Sequence, residues 1–424
     1  MPTTTKKSFI KRTLRKLRHS LEYVIGFPIS ILLFIIFPFY KIKLVKLFSD
    51  RIGHYALNTE LMLCTLDQNP PNNNEKYFFF TCSSSAPICN SQLHLMWKRT
   101  IPILPFPDLI SKIDKILGFL LGAKYKKDRI KSTFEPTWGV NDIHGLLEKS
   151  NQPHLVFNYE EKTRGEKLLT QLNLPVDARI VCLIVRDANY LKQHLPGIDW
   201  SHHTFRNSNI ENYKEAALFL AEKGYHVIRM GKYVIDKFEV NHPRVLDYAN
   251  SPLCSDFMDI YLLSRCCFFI SSVTGLDCVP QILRIPGIFT NVVLPSELLT
   301  WYPNILFIPK KFSNKKSDNI LKFQEIYDVI FPQWSKVAMI DILNQHGLDV
   351  IENSSEDILS VVKEAEARIT NNWKETEEDQ KLQWQFWERF PCDTMGSGGY
   401  PAYSKKIKIK IGNDFLKKYA SLLN

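Results

Sequence analysis

No Cys-x-x-Cys pair and no histidine cluster at metal-ligand spacing occurs in the 424 residues, although nine cysteines are present. An odd number without such pairing argues against a disulfide framework and against a structural zinc site. A reducing compartment suits these thiols, and Cys266-Cys267, inside an apolar run, read as small core residues. Also missing are a G-x-S-x-G elbow, an H-E-x-x-H helix, a P-loop G-x-x-x-x-G-K-[ST] and the kinase set. Their absence removes the common serine-hydrolase, zinc-protease and nucleotide-triphosphatase readings. No internal repeat is evident. The first 20 residues contain no acid, so Lys6, Lys7, Lys11, Arg12, Arg15, Lys16 and Arg18 make the start of the chain a basic tail, and much of the formal charge of +10 is there.

What is present points to a large globular chain. Its length exceeds one ordinary core and suits two domains with extensions. Tyr23 to Tyr40, YVIGFPISILLFIIFPFY, is uncharged over its whole length. Eighteen residues barely match a hydrocarbon core of ~30 Å, and Pro28 and Pro38 are expected to interrupt or end a helix there. No A-x-A-like cleavage site follows, and Lys41, Lys43 and Lys46 put positive charge on the far side too. The run therefore reads as a monotopic or re-entrant anchor, with a buried core hairpin or helix as the competing reading.

From Lys41 the pattern becomes strand, loop and helix: KIKLVKLF, then Ser49 to Tyr55, then a helix from about Asn58. Tyr77–Thr81 reads as the next buried strand, and Pro102–Pro107 as a loop. Arg164–Asn173 reads as a helix closed by Pro175. A clearer α/β unit follows. Ile180–Val185 is apolar and β-branched, as expected of a strand buried on both faces. Ser208 and Glu211 have capping-box spacing and Gly224 is a stop, which predicts one helix of about 15 residues. Strand His226–Met230, helix Asp256–Arg265, and strands Cys267–Ile270 and Gly287–Thr290 complete an alternation that implies a parallel sheet with helices on both faces. After Pro309 the chain is expected to be helical, with Ser355–Ile369 and Trp373–Phe390 as its main elements. Glu375, Glu377, Glu378 and Asp379 read as a solvated helix face. Gly396-Ser397-Gly398-Gly399 follows no strand and reads as a flexible turn, not a dinucleotide fingerprint.

The stretch Asp256 to Gly275, DFMDIYLLSRCCFFISSVTG, is the most informative. A helix and a buried strand lead into a hydroxyl-rich loop, Ser271-Ser272-Val273-Thr274-Gly275. At the carboxyl end of a strand in an open α/β sheet such a loop faces the crevice where ligands bind, and the next helix is expected to offer N–H groups to phosphate. Taken alone, an ordinary strand-to-helix turn explains the same residues. Three further strand-end loops carry polar groups: Asp50–His54, Arg186–Asn189 and Arg229–Lys232. Arg186, beside Asp187, suits a phosphate, because a guanidinium makes two hydrogen bonds and stays charged when desolvated. Pairing with a neighbouring acid is the plainer reading of both Arg186 and Arg229. His202, His203, Arg206 and Asn207 precede the capped helix and suggest an anion site. Adjacent histidines are expected to point apart, which disfavours a metal. With no Asp-x-Asp at a strand end, the pattern favours a metal-independent transfer in which arginines neutralise a diphosphate and His54 or Asp50 deprotonates an acceptor.

The strings SDRIGHYALNTELMLC, VCLIVRDANY, FRNSNIENYKEAALFLAEKGYHVIRMGK and DYANSPLCSDFMDIYLLSRCCFFISSVTGLDCVP resemble a family of bacterial glycosyltransferases with GT-B architecture, distantly related to the fucosyltransferase superfamily. The likeness covers about residues 41–300. It implies a GT-B-like α/β fold, two Rossmann-like domains facing a cleft. The expected division is 1–40 basic tail and membrane anchor, 41–175 acceptor domain, 176–345 nucleotide-sugar domain and 346–424 helical extension. It implies Arg186 on the donor diphosphate, and Asp259, Ser271, Ser272 and Thr274 lining the nucleotide site; the strand-end loops and the segment before the capped helix add Gly275, Asp187, His203, Arg206, Asn207, Arg229 and Gly231 as candidate binding residues. Asp50, Arg51, Gly53 and His54 match the loop where acceptor and donor meet. That loop keeps only Gly53 of the glycine-rich turn common in relatives.

Taken together, these features set the expected activity: transfer of a sugar from a nucleotide-sugar donor to a cell-envelope glycan or lipid-linked acceptor, with inversion. No cofactor, metal or nucleic acid is expected, and the chain should work at the cytoplasmic face of the inner membrane. The alternative is a non-catalytic nucleotide- or glycan-binding membrane scaffold that keeps the fold.

Overall fold

The computed structural model describes residues 3–122, 125, 142, 145–150, 152–194, 196–197, 199–293, 305–330, 333, 338–389 and 408–423. The turn at Gly396–Gly399 and Phe390 lie outside the described residues. The chain forms two compact units, Met1–Glu135 and Pro136–Asn424.

The first unit begins with one continuous helix, Thr3–Ile36. Pro28 does not break it, contrary to expectation. The proline cannot donate to the Val24 carbonyl, but Pro28 and Val24 both lie on the exposed side of the helix, where water can reach that carbonyl. The sequence then gives strands β1 (Lys41–Lys46) and β2 (Glu75–Phe80), paired in parallel and joined by one further bridge from Phe79 to Ile103. Leu44 and Phe80 pack with Ile113, Leu117 and Tyr125, and Leu33 and Phe37 close the cluster. Between the strands, the helix expected from Asn58 starts earlier, as a π-helical turn His54–Asn58 that runs into Thr59–Gln68.

The second unit is built on a seven-stranded, wholly parallel sheet. Its strands are β3 (Ile180–Ile184), β4 (His226–Met230), β5 (Val245–Leu246), β6 (Cys266–Ser271), β7 (Gly287–Val292), β8 (Ile305–Pro309) and, after a hairpin-like pair β9 (Lys311–Asn314) and β10 (Leu348–Ile351), β11 (Lys410–Ile411). Every β3 residue is buried, as its uninterrupted apolar composition requires of a central parallel strand. The spatial order is β11-β8-β7-β6-β3-β4-β5. The chain thus winds outward from β3 through β4 to β5, returns to lay β6 on the other side of β3, and winds outward again. That is the 3-2-1-4-5-6 order of a doubly wound fold, and its topological switch point is between β3 and β6.

Two expectations need correction. The segment after Pro309 is not simply helical, since β9 and β10 pair antiparallel before helix Ser355–Ile369. The single helix from Ser208 is two pieces, a 3-10 turn Ile210–Tyr213 capped by Asn209 and a helix Lys214–Glu222. Asn209 rather than Ser208 supplies the cap, because its side chain accepts the Glu211 N–H. Helix Tyr159–Gln171 belongs to the second unit and lies on helix Asp256–Arg265. Gly165 permits this, since a Cβ there would stand 2.2 Å from the Tyr261 ring. Asn158 and Glu161 form its capping box.

Candidate functional site

At the switch point the carboxyl ends of β3 and β6 are joined by side chain and backbone. The Arg186 N–H donates to Ser272 Oγ at 2.7 Å, and the Ser272 N–H donates to Ile184 O at 3.1 Å. Ser271 and Ser272 are buried and Gly275 is exposed, so the hydroxyl loop runs from core to surface within five residues. Val273 at its centre has φ 58°. A β-branched residue in the left-handed region is strained, and such strain persists only where the surroundings impose it. Here they do: its carbonyl accepts from Arg206 Nη2 at 3.4 Å, and Asp277 holds the residues on either side.

Asp277 is the hub of the loop. One carboxylate oxygen accepts Ser271 Oγ–H at 2.6 Å and the Thr274 N–H at 2.6 Å, and the other accepts Gln281 Nε2 at 3.1 Å. Burial pushes its carboxyl up to about 6, opposed by the Ser271 and Thr274 hydrogen bonds and by Arg206. Thr274 Oγ1 in turn accepts the Leu276 N–H. The helix that follows, Cys278–Ile282, has only five residues. A helix this short offers no N-terminal phosphate cradle of the kind expected, and the order of the loop before it comes from Asp277. The Thr274-x-x-Asp277 spacing is that of a capping box, of which the half from the Thr274 N–H to Asp277 is formed.

A second residue absent from the sequence reading is Lys310, just after β8. It is buried, and its ammonium donates to Phe205 O at 3.1 Å and Asn207 O at 2.6 Å. Burial lowers it to about 8, opposed by Glu352 and aided to a smaller extent by the nearby Arg186. Lys310 thereby fixes the end of the 3-10 helix Ser201–Arg206 that carries His203 and Arg206, and Arg186, Arg206 and Lys310 form a cationic group around the loop. Behind it lies a buried polar web. A bulge between Phe289 and Val292 turns Asn291 to φ 55°, where Asn291 and Asn353 exchange backbone-to-side-chain hydrogen bonds at 2.6 and 2.7 Å. Tyr213 O–H is within 2.7 Å of Thr290 Oγ1 and accepts Asn291 Nδ2 at 3.0 Å. These residues were not legible as a group, because a strand bulge brings them together.

The other candidates are distributed as follows. Asp187 uses both oxygens on backbone, accepting the N–H groups of Asn189 and Ile235 at 2.6 Å each, and so ties the loops after β3 and β4. Arg229 is not on a loop: it lies inside β4, 2% exposed, and its guanidinium is paired with Asp247 at 3.0 Å. Gly231 ends the strand with φ +147°, and a Cβ there would stand 2.8 Å from Val234. Asp259 is buried in the first turn of helix Asp256–Arg265, where it accepts Tyr248 O–H at 3.0 Å, and burial raises its carboxyl to about 7. The His202 and His203 rings do not point apart: their centroids are 4.1 Å apart and His203 stacks on Trp200. The 3-10 turn places the three rings side by side.

In the first unit, Asp50 Oδ1 accepts Cys82 Sγ–H at 3.1 Å. His54 lies not in the loop but at the start of the π-turn, beside Phe48, with Asn58 Nδ2 at 3.5 Å from its Nδ1. Burial first, then Arg51, lowers its imidazole below the ordinary value, while Asp50 opposes this. A neutral imidazole at neutral pH can accept a proton. Arg51 is exposed and Gly53 buried.

No family model and no curated protein matches the chain. Among solved structures it is similar to a glycosyl transferase family 9 protein from Veillonella parvula, at 11% identity and TM-score 0.45, over 78% of this chain and 98% of that one. It is also similar to E. coli ADP-heptose lps heptosyltransferase II, at 12% identity and TM-score 0.33, over 63% and 90% of the two chains. A third similar structure is E. coli heptosyltransferase WaaC with ADP-2-deoxy-2-fluoro heptose, at 14% identity and TM-score 0.31, over 63% and 92%.

Proposed function

We propose that the protein is a glycosyltransferase that moves a sugar from a nucleotide-sugar donor to a cell-envelope glycan or lipid-linked acceptor, without a metal and with inversion, in a GT-B-like arrangement at a membrane. The observation that carries this reading is the grouping of Arg186, Arg206 and Lys310 around a strained hydroxyl loop at the switch point of a doubly wound parallel sheet. Ligands of such sheets bind in the crevice outside the carboxyl ends of the strands at that point. Three cations, against Glu352 beside Lys310 and the buried Asp277 near Arg206, suit a diphosphate, whose negative charge grows as the sugar leaves.

The reaction so assigned forms one bond and breaks one. An acceptor oxygen attacks the anomeric carbon, the bond from that carbon to the diphosphate oxygen breaks, and the nucleoside diphosphate keeps the electron pair. The acceptor proton goes to a base, assigned to His54, with Asp50 stabilising the imidazolium that results. Arg186 and Arg206 take the leaving charge, and Lys310 acts as a positioning residue that keeps the Arg206 segment in place and adds its field.

Calorimetric titration of GDP, UDP, CDP, ADP and dTDP tests the donor half. One nucleotide is expected to bind saturably, and its affinity to fall as pH rises from 7 to 9.5, because the folded protein loses the Lys310 charge near pH 8. The sign for stability is opposite: a lysine lowered from 10.5 makes the folded state more favourable as pH climbs from about 8 toward 10.5. Lys310→Met should bind more weakly and lose the pH dependence. Equal affinity at both pH values in the wild type would remove Lys310 from the site.

A further inference from the structure

Helix Thr3–Ile36 has two opposed stripes. Arg18, Glu22, Gly26, Ser30 and Leu33 recur every three or four residues on one side, continued by Phe37 just past the helix end, and all but Glu22, which accepts from Arg18, meet the body of their own unit. Arg18 donates to Glu22, Ser84 and Asp108. Gly26 lies against Ile113 and Leu109 of helix Pro107–Leu120. Ser30 Oγ donates to Gly26 O, and Leu33 and Phe37 pack on the core around Leu117. On the far side, about half a turn away at 100° per residue, Leu17, Leu21, Val24, Leu32 and Ile35 are 57–68% exposed. The segment Leu17–Ile36 has mean hydropathy 1.8, yet only 11% of it is buried. Phe119, on the partner helix, is 85% exposed, and Phe106, at its start, 73%.

We propose that this helix lies in the plane of an anionic bilayer, with its Leu17–Ile35 stripe inserted into one leaflet. Two observations choose the lipid surface over other partners. Residues 1–16, before the stripe, carry six Lys or Arg and no acid, which matches anionic headgroups. A spanning orientation is opposed by the docked neighbour. Helix Pro107–Leu120 runs alongside in the same direction, with Asp108 beside Arg18 and Lys112 over the Tyr23 ring. If Leu17–Ile36 crossed the hydrocarbon, Asp108, Lys112, Asp114 and Lys115 would be drawn in beside it, and charges at that depth are strongly disfavoured. Lying flat, the helix inserts its apolar stripe and keeps the charged neighbour at the water side.

The test is flotation of the full-length chain with vesicles of phosphatidylcholine and phosphatidylglycerol at 3:1, and with phosphatidylcholine alone. The chain is expected to float with the anionic vesicles, at least tenfold less with the neutral ones, and at least tenfold less after Val24→Glu with Leu32→Glu. Circular dichroism and the melting transition should be unchanged in that variant, since both sites face away from the core. For depth, a fluorescent amino acid is placed singly at Leu17, Val24 and Ile35 and quenched by lipids brominated near the headgroup or near the chain end. Equal, shallow quenching at all three sites is the expected result. Deep quenching at Val24 with shallow quenching at the two ends would show a span and overturn the proposal, as would flotation that ignores lipid charge and the two glutamates. If the double variant fails to fold, the depth profile of the singly labelled chains decides alone.

Discussion

Arg186→Ala is expected to weaken binding of the cognate nucleoside diphosphate about 30- to 100-fold, equivalent to ~2–3 kcal/mol, the range of a charge-assisted hydrogen bond to phosphate. The fold should survive. What Arg186 contributes to the joint between β3 and β6 is its backbone N–H, which donates to Ser272 Oγ and is retained by alanine. The side chain is only half-buried at the crevice edge. Calorimetry with a parallel thermal melt separates the two effects: the expected result is lost affinity with a melting temperature close to wild type. Arg186→Lys should recover part of the affinity, because the charge returns without the two-pronged geometry. Unchanged affinity in the alanine variant would move the diphosphate away from this loop.

Asp277→Ala carries the largest expected stability loss, about 3 kcal/mol or more. It leaves the Ser271 hydroxyl, the Thr274 N–H and the Gln281 amide without their acceptor in a place that water does not reach. The strained Val273 conformation should relax at the same time, so nucleotide affinity falls together with the denaturation midpoint. Asp277→Asn keeps the shape and one acceptor oxygen, and should cost less. Its pH behaviour follows from the raised carboxyl. An acid at 3.8 unfolded and about 6 folded binds more protons in the folded state between those values, so wild-type stability from this group declines as pH rises from near 4 to near 6 and is level above. Asparagine does not titrate, so the stability gap between wild type and Asp277→Asn should narrow over that interval. A gap that widens with pH would mean that the ionised form is the one the fold favours.

The parts of this structure legible in the sequence are those fixed by local composition. Ile180–Val185 and Cys267–Ile270 could be read as buried parallel strands because both faces of such strands are covered, and a run without polar alternation has no other stable use in an alternating α/β chain. Helix Ser355–Ile369 was legible from its periodic apolar residues, and the structure adds the capping box of Ser354 and Asp357 at its start. Arg186, Ser271, Ser272 and Thr274 stand out as candidates in the sequence because they lie at or just after the ends of such strands. The bounds of β4, His226–Met230, match the expectation, yet Arg229 is one residue inside the strand end and its side chain is buried against Asp247 rather than turned to the crevice, a direction that strand bounds alone do not give. Lys310, Asn291 and Asn353 were invisible for a different reason. Their partners come from residues about 60 to 105 positions away, and only the sheet order and the bulge in β7 bring them together. Pro28 was expected to interrupt a helix because it lacks an N–H for the residue four positions back; that residue, Val24, is exposed, and local sequence does not show that water can take the place of the lost donor.

Turnover of nucleotide sugars measures the central claim most directly. The full chain is incubated in chelator with a panel of GDP-, UDP-, CDP-, ADP- and dTDP-sugars and an envelope glycolipid extract as acceptor, and the released nucleoside diphosphate is quantified. The account predicts release from donors of one nucleotide only, dependent on acceptor, insensitive to chelator and reduced by His54→Ala with the donor affinity retained. Saturable nucleotide binding with no release from any donor, in protein shown to be folded and membrane-bound, would contradict it and leave a binding scaffold in its place.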